Sequence, residues 1–250
     1  MSGRTFAIGD IHGDLAALET LVSRLPRPTS GDTMVFIGDY VDRGPKSREV
    51  VEVVRSLQRE ANCRVIALRG NHEDAWLRVV DGDGFPQFVF PRGNGAFESL
   101  RSFVRGEQPG EDDPPNEEEM KQLLAGSFFP PDVLDWFRGL PYFYEDEHAI
   151  YVHAGLPQRD GRFLHPSEVD NPIVMLWLRT ESFFRDYRGK PVVIGHTRTE
   201  YLPPELSLHT PDDPTDLWAG ECVIALDTGA GKGGFLSCIE LPAGKVYESR

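Results

Sequence analysis

Five short stretches of this 250-residue chain end an apolar run beside a glycine and a side chain able to bind a metal ion. In order they read FAIGDIHGD, VFIGDYVDRG, IALRGNHE, IYVHAG and VVIGHT, and they carry Asp10, His12, Asp39, Asn71, His72, His153 and His196. Any one of these residues alone reads equally well as a turn former, a cap or a satisfied polar core residue. Five such endings in one chain point to a shared site. Imidazole, carboxylate and amide oxygen without thiolate suit Mn²⁺, Fe or Zn²⁺ better than a cysteine-based structural zinc. The donors outnumber what one catalytic zinc uses and suit two ions sharing a carboxylate, an arrangement that clamps the attacking and leaving oxygens of an in-line displacement. No cysteine or serine nucleophile motif accompanies them.

The elements that must position these residues alternate. A strand is predicted at Thr5–Gly9 and a helix beyond it, with Leu15, Leu18, Leu21, Val22 and Leu25 on one face and Asp14 as its cap. A second strand is predicted at Thr33–Gly38, a helix over Ser47–Glu60, a third strand at Val65–Leu68 and a helix from about Glu73. Such alternation implies right-handed crossovers in an α/β layered fold, where ligands bind at the carboxyl ends of the strands. Asp39 then falls between the other strand ends, as a bridging ligand should. From Asp81 to His148 glycine, proline and Asn94-Gly95 mark turns, and seven acids between Glu107 and Glu119 lie in a stretch broken by prolines. We read that stretch as a solvated loop leading into a helix, followed by another helix around Pro131–Leu140. Strands resume at Ala149–Val152, Pro191–Ile194, Cys222–Leu226, Gly234–Leu241 and Lys245–Glu248, and their closeness near the end suggests antiparallel hairpins. Pro203–Glu221 reads as a second acidic, proline-rich loop. GAGKGG at 229–234 lacks the first glycine of a P-loop and a Ser or Thr after Lys232, and it runs into a strand. It is therefore not read as a nucleotide loop.

The blocks GDIHG, GDYVDRG, GNHE, HAG and GHT, in that order, resemble the signature of the PPP-type metallophosphatases, the serine/threonine protein phosphatase superfamily of calcineurin-like metallophosphoesterases, in a short bacterial form. ALDTGAGKGGFLSCIEL resembles the family's closing strands, so the likeness covers nearly the whole chain. It implies two packed mixed β-sheets flanked by helices in four αββα layers, as one domain over 1–250 with a variable acidic insertion at about 81–147. By position, Asp10, His12 and Asp39 would hold one divalent ion, and Asp39, Asn71, His153 and His196 the other, manganese being expected before iron or zinc. Arg43 and Asn71 would meet the substrate phosphate. Arg179, in LWLRTESF, resembles the second phosphate-binding arginine. His72 would protonate the leaving oxygen, oriented by Asp42. The reaction implied is single-step hydrolysis of a phosphomonoester by in-line attack of a metal-bridging hydroxide.

Composition bounds the partners. With 26 Lys and Arg against 40 Asp and Glu, the net charge is −14. Bulk attraction to nucleic acid or an anionic membrane is excluded; a phosphate substrate is not, because two divalent ions, Arg43 and Arg179 would make the crevice locally positive. Three cysteines, Cys63, Cys222 and Cys238, lack metal-like spacing and read as buried free thiols in a reducing cytoplasm. No apolar run of signal-peptide or membrane-spanning length is present. His148, His165 and His209 fall outside the strand ends and are expected at the surface. The expected substrate is a phosphoserine or phosphothreonine protein or peptide, with phosphotyrosine also open, acted on by a monomer. A dinucleoside polyphosphate or another small phosphate is the alternative. Asp42 and Glu73 favour the phosphoprotein, because related tetraphosphatases tend to lack an acid at both positions. A catalytically silent metal-binding scaffold would be expected to have lost part of this set.

Overall fold

A computed structural model describes residues 3–82, 85–104, 114–208 and 213–250. In chain order the elements are β1 (Thr5–Ile8), α1 (Leu15–Arg24), β2 (Thr33–Phe36), α2 (Ser47–Glu60), β3 (Arg64–Ala67), α3 (Asn71–Val80), α4 (Pro86–Val89), α5 (Ala96–Val104), α6 (Glu117–Ala125) and α7 (Pro131–Gly139). They continue with β4 (Phe143–Glu145), β5 (Ile150–Val152), β6 (Gln158–Arg159), β7 (Arg162–Phe163), α8 (Val174–Trp177), α9 (Glu181–Asp186), β8 (Val192–Ile194), β9 (Trp218–Ala219), β10 (Val223–Ala225), β11 (Ser237–Leu241) and β12 (Lys245–Glu248). Two mixed sheets result, ordered β12-β11-β1-β2-β3 and β4-β5-β8-β10-β9.

Side-chain alternation builds the layers. Phe6, Ile8, Met34 and Phe36 of the first sheet face the helices, where they share a core with Leu18, Val50, Trp76 and Phe137. Ala7, Val35 and Ile37 face the other way and meet Tyr151, Val193 and Leu226 of the second sheet. The far side of that sheet, through Val152, Ile194 and Ala225, packs on Met175, Phe183 and Tyr187. Sheets buried on both faces need continuous apolar strands, which is how these runs read. The layering is αββα, as the sequence resemblance implied.

Parallel register then aligns the strand ends. Ile8 sits opposite Phe36, and Phe36 opposite Ala67, so Asp10, Asp39 and Asn71 follow at one edge of the first sheet. In the second sheet β5 and β8 are parallel, with Ile150 opposite Val192, so His153 and His196 leave at the same end.

Several local expectations change. The helix expected from Glu73 starts at Asn71, because that stretch opens directly on Gly70. Two C-terminal pairs of consecutive strands are antiparallel as expected, β9 with β10 and β11 with β12, but they lie in different sheets, and β10 also runs parallel to β8. The chain between β10 and β11 therefore crosses from sheet to sheet, which short strand spacing cannot reveal. The 203–221 loop contains a 3-10 turn at Pro204–Leu206 and strand β9. His148 is not a surface residue: its Nε2 lies 2.9 Å from the Gly3 carbonyl oxygen and its side chain is 9% exposed. His165 is partly covered, with Nε2 2.9 Å from a Glu145 carboxylate oxygen. Cys238 is buried, whereas Cys63 and Cys222 are half-buried; all are free thiols. His209 and the acidic residues from Glu107 to Asp113 lie outside the described residues, while Glu117–Glu119 open α6.

Candidate active site

Every strand-end residue named above converges on one buried centre where the two sheets meet. Asp39 is its hub. Its Oδ2 lies 3.3 Å from His12 Nε2 and 3.9 Å from His72 Nε2, and its Oδ1 lies 3.5 Å from His153 Nε2. His12 Nε2 is also 3.9 Å from Asp10 Oδ2. Asn71 Oδ1 lies 2.9 Å from His153 Nε2 and 2.8 Å from His196 Nδ1. The other oxygen contact of Asp10 comes from the backbone N–H of His196, which donates to Oδ2 at 2.9 Å and so ties the two sheets together.

The turns that hold these side chains are strained. Six described residues other than glycine have positive φ, and five are His12 (47°), Asp39 (54°), Asp42 (71°), Arg43 (68°) and His196 (66°). Such conformations persist only where the surroundings over-determine them, and they concentrate at functional sites. Glu73 supplies much of that determination. Its buried carboxylate accepts hydrogen bonds from the backbone N–H groups of Asp39 (3.0 Å), Tyr40 (2.8 Å) and Gly70 (2.9 Å). Burial and Asp39 push its pKa up to about 8, against the pull of those amides. Gly70 is required here, since a Cβ would stand 2.1 Å from Asp39 Oδ1.

The electrostatics favour cation binding. Burial pulls the pKa values of His12, His153 and His196 below the ordinary histidine value, and the neutral ring is the ligating form. Burial also raises Asp10, helped by Asp227 and Asp39. Asp39 stays below the ordinary value despite burial, because His153, His72 and Arg43 outweigh it. Asp10 Oδ1, His12 Nε2 and His196 Nε2 are buried without a hydrogen-bond partner among the described residues. Two ligand groups share Asp39: His12 with His72, and His153 with His196. Buried lone pairs left unmatched among nitrogen and oxygen donors fit a pair of divalent ions bridged by Asp39.

Beside the centre, His72 Nδ1 is 2.7 Å from Asp42 Oδ2. Trp76 Nε1 donates to Asp42 and Ser99 Oγ donates to its Oδ1 at 2.5 Å. Sequence reasoning missed both. Trp76 stands four residues after His72 on the same helix face, a signal that was available; Ser99 comes from α5 and had none. Arg43 carries Nε and Nη1 groups with no hydrogen-bond partner among the described residues. Arg179 is exposed at the mouth, near enough to feel Asp39 and Arg43. Beside it opens a cavity of about 600 Å³ whose walls include Phe184, Tyr201 and Pro203 together with Glu181, Glu200 and Glu205. Asp14 caps α1, as expected, by accepting from the Ala17 N–H.

A sequence model described as calcineurin-like phosphoesterase matches residues 3–215. A symmetrical bis(5'-nucleosyl)-tetraphosphatase of Stutzerimonas stutzeri (strain A1501) is 28% identical over 155 residues, 61% of this chain and 44% of that protein. This chain thus matches less than half the length of that relative. Among solved structures, a candidate diadenosine tetraphosphatase superposes with a TM-score of 0.57 at 22% identity, covering 99% of this chain and 93% of the other. A cold-active protein-tyrosine phosphatase of a psychrophilic Shewanella species gives 0.55 at 18% identity, covering 100% and 81%.

Proposed function

The chain belongs to the calcineurin-like phosphoesterase family, whose members are dinuclear metal-dependent hydrolases, and we propose that its own substrate is a small polyphosphate of the dinucleoside polyphosphate class. The observation that carries this reading is the cavity beside Arg179. Its volume of about 600 Å³ is that of a small-molecule pocket, and Tyr201, Phe184 and Pro203 offer flat surfaces to a base. The likeness to a tetraphosphatase over 61% of the chain supports the same class. Glu73, which favoured a phosphoprotein on sequence, is fully buried and spends its oxygens on backbone amides, so it cannot read a substrate.

The chemistry follows from the donors. Asp10, His12 and Asp39 would hold one ion, and Asp39, Asn71, His153 and His196 the other; bound there, the pair supplies Lewis acidity and acidifies water near neutral pH. Arg43, with unpartnered guanidinium N–H groups, and Arg179 would grip the phosphate oxygens together with the Asn71 amide. Asp42 already accepts from Trp76 and Ser99, so toward His72 it is placed to accept from Nδ1. That leaves Nε2 of His72 as the atom that hands a proton to the departing oxygen. Manganese is the ion we expect. We also take 1–250 as one domain, monomeric and cytoplasmic, with 81–147 built into it, since Ser99 of that region bonds Asp42.

A phosphoprotein phosphatase is the second reading, and the His72–Asp42 contact favours it because related tetraphosphatases tend to lack that acid. Turnover of diadenosine tetraphosphate and of phosphoserine peptides, compared at matched concentrations with Mn²⁺, separates them. We expect a preference above tenfold for the nucleotide. The reverse preference would establish the peptide, and turnover surviving a chelator would defeat both.

A further inference from the structure

The glycine-rich segment 229–234 is not idle. Gly231 lies so close to the His12–Gly44 turn that a Cβ would stand 2.4 Å from the His12 carbonyl oxygen and 3.2 Å from the Gly44 nitrogen. Gly229 lies against the Arg198 guanidinium, whose Nη2 would be 2.9 Å from a Cβ there. The segment therefore bridges the turn carrying Arg43 and the side chain of Arg198, and it ends its first bend with Lys232 at the surface. Lys232 and Gly234 both donate their N–H groups to the Gly229 carbonyl oxygen at 3.0 Å, which holds that bend closed.

The segment is anchored on one buried carboxylate, Asp227, whose Oδ1 accepts from the Gly229 N–H, whose Oδ2 has no hydrogen-bond partner among the described residues, and which feels the charges of Arg43 and Arg198. Arg198 is paired with Glu200 at 2.9 Å. Among the described residues, neither Arg43 nor Lys232 has a carboxylate within ion-pair distance. Lys232 feels its neighbours: partial burial, Arg43 and Arg198 together pull its pKa below the ordinary lysine value, with Asp227 acting the other way. Cations without a direct ion-pair partner, placed by this segment beside the turn of Arg43, would be stabilised by a further anion.

We propose that Lys232 and Arg198, continuing outward from Arg43, form a second phosphate subsite that holds the phosphate adjoining the one cleaved. Its ligand is the chain of a linear polyphosphate, free or carried by nucleosides. The proposal rests on the small-polyphosphate reading for its biological sense, though not for its test. A single phosphomonoester would occupy Arg43 and Arg179 and leave Lys232 unused, so Lys232 should discriminate between the two substrate types. Lys232 is exposed and is not one of the donors grouped around Asp39, and its replacement leaves the glycines in place.

Inhibition of p-nitrophenyl phosphate hydrolysis by inorganic tripolyphosphate and by orthophosphate tests this, with free divalent metal held constant because polyphosphate chelates it. Wild type should bind tripolyphosphate at least about tenfold more tightly than orthophosphate. Lys232→Ala should weaken tripolyphosphate about tenfold, the scale of one lost charge-assisted contact, and Lys232→Arg should keep it. Orthophosphate inhibition and monoester kcat/KM should stay within about twofold. Equal weakening of both inhibitors would mean bulk attraction only and would overturn the subsite, as would an unchanged tripolyphosphate constant. Lys232-dependent tripolyphosphate binding in a protein that fails to cleave diadenosine tetraphosphate would keep the subsite and remove the proposed substrate.

Discussion

His72 Nδ1 stands 2.7 Å from Asp42 Oδ2, and both residues are buried, Asp42 completely. Asp42 is itself fixed by Trp76 and Ser99, so the imidazole is held by a carboxylate that cannot turn away. In the proposed mechanism a ring so placed is the general acid, with its proton-bearing nitrogen set by its partner.

Asp42→Asn is therefore expected to lower kcat by about 10²–10⁴ on substrates with poor leaving groups, the range typical of general acid–base catalysis. With p-nitrophenyl phosphate the loss should be much smaller, because that leaving group departs without help. Metal content by elemental analysis should stay at the wild-type level. An equal loss on both substrates would mean that the contact positions the centre rather than a proton.

Glu73→Gln should loosen the turn that carries Asp39. An amide offers one acceptor oxygen and turns its NH₂ toward N–H donors at 2.8–3.0 Å, leaving at least one buried donor unmatched. The expected cost is about 1–3 kcal/mol in urea unfolding, with weaker metal retention on dialysis. Unchanged stability would show that the clamp is dispensable.

Gly70→Ala should be far more damaging than Gly139→Ala. At Gly70 a Cβ meets Asp39 Oδ1 at 2.1 Å and the Asp39 backbone nitrogen at 2.3 Å; at Gly139 nothing lies within 4 Å. We expect the first variant to lose metal binding and activity. The second, at the end of α7, should stay within about 1 kcal/mol of wild type in thermal unfolding.

Acid stability should depend on Asp32. Hydrogen bonds from Arg4, then from the Thr29 N–H and hydroxyl, hold its carboxyl well below the ordinary aspartate range. A depressed folded-state pKa gives stability that is present above the unfolded value of about 4 and is lost as pH falls below it. Asp32→Asn should cost about 1–3 kcal/mol at pH 7 and flatten the decline in Tm between about pH 4 and pH 2. A decline as steep as wild type would place acid sensitivity elsewhere.

The candidate metal-ligating set was legible because each part of it is local. A strand, a glycine and a ligand within a few residues already constrain one another, and the order of five such endings could be read along the chain. The α2 helix over Ser47–Glu60 was equally legible from its valines. Ser99 was not, since its contact with Asp42 spans 57 residues through α5 packed on α2. Nor was the role of Glu73: its presence was noted, but only the folded turn shows its oxygens facing amides instead of substrate. The 229–234 segment does not read as a nucleotide loop, for sound reasons of spacing, yet it brings Gly231 against the His12–Gly44 turn from the opposite end of the chain.

By itself, then, the amino-acid sequence determined which donors exist and that they end strands, because both follow from local chemistry and side-chain periodicity. The tertiary structure decided which donors share Asp39, which carboxylate orients His72 and which cations stand beside Arg43. Those depend on strand register and on the packing of one sheet upon the other, and such relations between distant segments exist only once the chain has closed.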